Sequence, residues 1–196
     1  MASITEGIKE LREATGAGVL DCKKALEQTG GDVAKAAEIL KEKGLARAAK
    51  KSERVAAEGR VEAYIHPGAK LATLVELNCE TDFVARTEQF QELAHNLAMH
   101  IAAAAPQWVS REDIPESVIE AETKVYRSEM EGENKPDAVI ARIIEGKLGK
   151  FYQQNVLLEQ PYIRNEDQTI QDVLKEAIAK LGENIVIKRF ARFQID

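Results

Sequence analysis

Apolar positions in the first 44 residues recur at helical intervals in three short blocks. Ile4, Ile8 and Leu11 form the first, opened by the capping-box pair Ser3 and Glu6, which predicts a helix to about Ala14. Thr15-Gly16-Ala17-Gly18 ends it. Val19, Cys22, Ala25 and Leu26 then share one face of a second helix over 19–29, broken by Gly30-Gly31. Asp32 is placed to cap a third, which turns Val33, Ala36, Ala37 and Leu40 inward before Gly44. Three short helices in so little chain read as a compact module with little stability to spare. Residues 45–58 are rich in Ala, Lys, Arg and Glu without an apolar stripe, and read as a solvated helical linker.

At Gly59 the period changes from helical to alternating. Val61, Ala63 and Ile65 alternate with Glu62, Tyr64 and His66, the signature of a half-buried strand. Pro67-Gly68 suits the centre of a type II turn, so 61–66 and 70–78 pair as a hairpin. A long helix over about 83–105, carrying Phe90, Leu93, Leu97 and Ile101, is expected to cover one face of it and to end before Pro106. Helices near 115–131 and 136–148, separated by Gly132 and Lys135-Pro136, look like an exposed helical hairpin. Ile170, Val173, Leu174, Ala177, Ile178 and Leu181 mark another amphipathic helix, stopped at Gly182. The chain closes on a strand with Ile185, Ile187, Arg189, Ala191 and Phe193 on one face and Val186, Lys188, Phe190, Arg192 and Gln194 on the other. This strand is expected to join the hairpin, giving a three-stranded antiparallel sheet packed with helices and an α+β class.

Composition narrows the function. With 44% hydrophobic and 31% charged residues the chain is globular rather than disordered. The net charge of −6 is uneven: residues 1–60 are slightly basic, whereas residues 61–196 carry 15 Lys and Arg against 23 Asp and Glu. An acidic main body repels phosphates, so direct nucleic-acid binding is not expected and a protein partner fits better. No apolar run is long enough to cross a membrane, and Met1-Ala2-Ser3-Ile4-Thr5-Glu6 lacks a signal-peptide pattern, so the expected location is the cytoplasm.

Candidate chemistry is sparse. Cys22 and Cys79 have no Cys or His at zinc-site spacing, and no metal or cofactor is expected. There is no phosphate-cradling Gly-x-x-x-x-Gly-Lys loop and no Gly-x-Ser-x-Gly turn, so no enzyme activity is expected. His66, His95 and His100 read as ordinary surface or core histidines. Arg47, Lys50, Lys51 and Arg54 have no interleaved aromatic residue and read as a solvated helix face. Trp108 reads as a local core plug or as an interface anchor.

The segment Asn78-Cys79-Glu80-Thr81-Asp82-Phe83-Val84-Ala85-Arg86 joins strand to helix and carries the most information. Thr81 or Asp82 can cap the helix. If the helix starts at once, Phe83 falls on the stripe of Thr87, Phe90, Ala94, Leu97 and Ile101 and joins the core. The alternative is an aromatic wedge held out beside a carboxylate.

With Leu11-Arg12-Glu13-Ala14-Thr15-Gly16-Ala17-Gly18, Asp21-Cys22-Lys23-Lys24-Ala25-Leu26, Gly182-Glu183-Asn184-Ile185 and Arg189-Phe190-Ala191-Arg192-Phe193, this segment resembles the elongation factor Ts family over essentially the whole chain. The resemblance implies an N-terminal three-helix ubiquitin-associated-like module at 1–44, a linker at 45–58 and an α+β core and dimerisation domain at 59–196. It implies a non-enzymatic guanine-nucleotide exchange factor for elongation factor Tu (EF-Tu). Asp82 and Phe83, flanked by Thr81 and Val84, match the pair that enters the GTPase near its switch and magnesium site. Arg12, Val19 and Leu20 match the module's grip on the nucleotide-binding domain, and Leu181 and Gly182 match a core contact. Family members often have Met-Met in place of Val19-Leu20, and Ile in place of Leu181; the exchanges stay apolar. The length resembles the short form of the family, implying a homodimer with Phe190 and Phe193 of the last strand at the contact. A competing reading is an adaptor whose helical module binds ubiquitin-like or nascent-chain partners; it explains residues 1–44 only.

Overall fold

The computed structural model describes residues 4–130 and 135–195 of the 196-residue chain. Three helices open it, α1 (Ile4–Thr15), α2 (Val19–Gln28) and α3 (Val33–Lys51). Ser3 of the expected capping box lies outside the described residues. Asp32 caps α3 as expected, its carboxylate accepting the Lys35 N–H at 3.1 Å. Leu11, Cys22, Ala25, Leu26, Ala36 and Leu40 are buried together between the three helices.

The third helix does not stop at Gly44. It runs seven residues further, and Gly44 within it lies against α8 (Ile170–Leu181): a Cβ there would stand 3.0 Å from that of Ala179. Glycine is tolerated inside the helix in exchange for close helix packing. Nor is the segment after Gly44 wholly solvated, since Ala48 is buried in the larger core.

That larger core lies between a sheet and the helices α5 (Glu88–Ala104) and α8. Strands β1 (Glu58–Ile65), β2 (Leu71–Cys79) and β5 (Val186–Gln194) form the sheet in the order β1-β2-β5, antiparallel throughout. The hairpin turn is the expected one: Gly68 takes φ 92°, and the Ala69 N–H donates to the His66 carbonyl at 2.9 Å.

The sheet faces the opposite way from the expectation for β1. Val75, Leu77 and Cys79 commit one face of β2 to the core, and residues directly opposite on β1 share that face. Register therefore sends Arg60, Glu62 and Tyr64 toward α5, where Glu62 meets His95 at 3.2 Å. Val61 and Ile65 point outward, 63% and 65% exposed.

A second correction concerns β5, whose register shifts between Glu76 and Leu77, leaving Lys188 as the extra residue. The bulge inverts the alternation after it. Ile187 and Phe190 both pack toward the core, whereas Phe193 is 65% exposed on the outer face.

Helices α6 (Glu116–Ser128) and α7 (Asp137–Asn155) pack on each other; α6 buries no residue and α7 only Ile144. The expected break at Gly132 lies outside the described residues. Trp108 is half-buried, its ring 6.0 Å from that of Phe151. A small hairpin, β3 (Pro161–Tyr162) with β4 (Asn165–Thr169), carries no alternating apolar signature in the sequence.

His100 ties that hairpin to α5. The fully buried ring accepts the Ile163 N–H at Nδ1 (3.3 Å), so its proton sits on Nε2, which donates to Gln160 Oε1 at 3.0 Å. Gln160 in turn donates to the Ala104 and Gln154 carbonyls. Burial holds the imidazole below its ordinary value of 6.5. The unfolded chain therefore takes up a proton near pH 6.5 that the folded chain refuses until lower pH. Stability is full above about 6.5 and falls as the pH drops below it. Denaturant midpoints between pH 5 and 8 should show this slope in the parent and lose it in His100→Gln. The favourably held carboxylates Asp32 and Asp172 titrate lower and do not blur the window.

Candidate partner-binding site

Two threonine caps decide where Phe83 goes. Thr81 accepts the Val84 N–H at 3.4 Å and opens the four-residue turn α4 (Asp82–Ala85); Thr87 accepts the Phe90 N–H at 3.3 Å and starts α5 afresh. One continuous helix from residue 83 is thus corrected to two, with Arg86 as the joint. Phe90 is fully buried and Phe83, released from that stripe, is 78% exposed. Asp82 beside it pairs with Arg86 at 2.8 Å, an exposed pair of little energetic weight. Val84 packs against the core and anchors the turn.

The corner before the turn is held from the opposite end of the sequence. Glu183 Oε2 accepts the N–H groups of Glu80 (3.1 Å) and Thr81 (3.0 Å), while its Oε1 accepts the Thr81 hydroxyl at 2.7 Å. Glu80 Oε1 accepts the Asn184 N–H at 2.7 Å. Asn184, itself buried, donates through Nδ2 to the carbonyls of Ser52 (3.2 Å) and Arg54 (2.7 Å) just past α3. Gly182 caps α8 in the left-handed region, φ 83°, with its carbonyl accepting from Lys51 Nζ. Burial first, and then the Glu183 charge, push the Cys79 thiol up; burial does the same for Cys22, so both thiols stay protonated.

The remaining sequence-derived positions adjoin this corner through one packing contact. Arg12 in the last turn of α1 and Val19 and Leu20 in the first turn of α2 are all exposed, Leu20 at 73%. The turn between them packs on the end of α8: a Cβ on Gly16 would stand 3.0 Å from Lys180 Cγ. Leu181 is half-buried against the core and Gly182 is exposed. The α1–α2 turn thus abuts the end of α8, next to the Gly182 cap from which the chain leads into the Glu183 corner, and Arg12, Val19 and Leu20 flank that turn. Glu80, Glu183 and Asn184 are the members that sequence reasoning did not assign. For Glu183 and Asn184 the local signal is two polar residues wedged between a helix-ending glycine and the buried Ile185; Glu80 carries none.

The sequence model of the family described as elongation factor TS matches residues 4–196. The chain belongs to the elongation factor Ts family. It is 57% identical to the elongation factor Ts of Coprothermobacter proteolyticus over 96% of this chain and 95% of that one. That of Thermosipho melanesiensis is 53% identical over 96% of both chains, and that of Carboxydothermus hydrogenoformans 56% over 96% of this chain and 87% of its own. Among the described residues, no group of three His, Cys, Asp or Glu side chains is disposed to hold a metal ion. Among the described residues, no helix is long and apolar enough to cross a membrane.

Proposed function

We propose that this chain is a guanine-nucleotide exchange factor for EF-Tu. In this reading Arg12, Val19 and Leu20 grip the nucleotide-binding domain, Leu181 and Gly182 add a core contact, and Asp82 and Phe83 enter near the switch and magnesium site. The observation that carries it is Phe83, a large apolar ring left in water on a capped turn beside a carboxylate. A nucleotide held at nanomolar affinity is bound by about 12 kcal/mol, and a thousandfold faster release needs about 4 kcal/mol taken from the activation barrier to release. Preferential binding to the nucleotide-poor partner supplies it, and returning nucleotide then expels the factor. Magnesium demands near-ideal octahedral geometry, so small displacements of its ligands suffice. The chain performs no covalent step, and its place of action in this reading is the cytoplasm.

The test is release of fluorescent GDP from EF-Tu. Substoichiometric protein should accelerate it, and an unchanged rate would refute exchange in favour of an adaptor role for residues 1–44. We retain the division into 1–44, 45–58 and 59–196 as a functional proposal, although the first boundary falls inside α3 and the second just inside β1.

The same reading includes a homodimer. Its support is the outer sheet face, where Val61, Ile65, Leu74 and Phe193 stand exposed around Ala63, Ala72 and Ala191. Contiguous apolar surface of this kind marks an interface, and a second copy related by a twofold axis covers it symmetrically. Phe193 belongs to this face, and Phe190, turned inward by the bulge, does not. Sedimentation at micromolar concentration should give a dimer, and Leu74→Glu should weaken it by about thirtyfold or more. A monomeric parent chain would sink this part of the proposal.

A further inference from the structure

We propose that Glu183 and Asn184 are positioning residues that fix the Asp82–Phe83 wedge relative to the end of α3, an inference that rests on the exchange reading above. A helical turn of four residues cannot hold itself in place, because nucleation fixes several dihedrals for a single hydrogen bond. Val84 and the start of α5 secure its far side. Its near side, Glu80 and Thr81, has no strand partner and depends on the Glu183 carboxylate, which takes two backbone N–H groups and one hydroxyl at 2.7–3.1 Å. Bonds to an ionised acceptor are the stronger kind.

Glu183 is in turn placed by its neighbours. Asn184 is bound to Glu80 on one side and to the Ser52 and Arg54 carbonyls on the other, and the Gly182 carbonyl is held by Lys51. The wedge is therefore tied to the helix that carries the N-terminal module as well as to the sheet. Docking of Arg12, Val19 and Leu20 on a partner then sets where Phe83 arrives. An aromatic ring that must displace metal ligands acts only within a narrow range of positions, and misplacement by an ångström can cost a hundredfold in rate.

Stimulated GDP release from EF-Tu, taken to saturation, separates arrival from action. Glu183→Ala should lower the maximal rate by about tenfold or more while the half-saturating concentration stays within about twofold. Glu183→Gln keeps an oxygen for the two N–H groups and an amide for the Thr81 hydroxyl, so it should retain most of the rate. Each variant is compared by thermal unfolding, and Asn184→Ala serves as a second probe from the α3 side. The deciding comparison adds Phe83→Ala. If Glu183 acts through the wedge, Glu183→Ala costs nothing further in the Phe83→Ala background. A full additional loss there, or a change confined to half-saturation, overturns the positioning role. An unchanged rate in Phe83→Ala alone instead refutes the wedge reading on which it rests.

Discussion

Replacing Phe83 by alanine is expected to leave the fold almost untouched while GDP release from EF-Tu drops by about thirtyfold or more. The two halves of that expectation have separate causes. A ring that is 78% exposed loses little burial on truncation, so unfolding should move by no more than about 0.5 kcal/mol. Phe90, seven residues on and fully buried, provides the contrast: its truncation should cost about 3 to 5 kcal/mol. Aromatic anchors at interfaces commonly contribute about 2 to 4 kcal/mol, and every 1.4 kcal/mol is roughly tenfold. Arg12, Val19 and Leu20 lie on other elements and remain intact, so the variant should still bind EF-Tu. Thermal unfolding and stopped-flow GDP release, on one preparation, check both halves. A large loss of stability with exchange preserved in the folded fraction would return Phe83 to the core and remove the centre of the mechanism.

Helical faces were legible in the sequence because their period is long enough to name individual residues. Leu11, Leu26 and Leu40 in the small cluster, Phe90, Leu97 and Ile101 on α5, and Leu174 and Ile178 on α8 are all buried where the 3.6-residue repeat puts them. Alternation in a strand carries less information. It divides β1 into two faces without saying which is inward, and apolarity pointed to the wrong one, since Val61 and Ile65 look outward. The face was set by β2, whose Val75 and Leu77 are buried, through a register invisible in either strand alone. The bulge at Lys188 escaped for a related reason: one unpaired residue reverses every later side chain and leaves no compositional trace.

At the site, periodicity put Phe83 on the core stripe; only the second cap, Thr87, takes it off, and the family resemblance had reached the exposed reading by another route. Thr-Glu-Gln-Phe at 87–90 is a helix-start pattern that a single-helix reading overrides. The Glu183 contact was beyond reach in principle, since it joins Thr81 across 102 positions. A polar residue after a helix-ending glycine has a solvated surface as its default; only the folded chain brings it to two backbone N–H groups.

Gly59 marks the change of pattern at the start of the sheet, and alanine there is expected to be among the most damaging of small substitutions. Its φ of 152° lies where side chains are strained, which costs about 1 to 3 kcal/mol. The space is also taken. A Cβ would overlap the Leu77 carbonyl oxygen and stand 2.7 Å from Cα of Asn78. Both obstacles are backbone of the central strand, paired on its other side with β5, so neither can withdraw as a flexible side chain would. Overpacking of this kind adds about 1 to 3 kcal/mol, for a total of about 2 to 6 kcal/mol and a melting temperature lower by about 10 °C. Gly68→Ala separates the two contributions. It also has a positive φ, 92°, but nothing lies within 4 Å of the new Cβ, so it should lose about 1 to 2 kcal/mol at most. Since β2 leads directly into the Cys79–Thr81 corner, Gly59→Ala should also slow exchange in its folded fraction, which Gly68→Ala at the far end of the hairpin should not. Equal melting temperatures for the two variants would mean that β1 slides away from β2 to relieve the overlap, and the close approach at Gly59 would then not be what holds this end of the sheet.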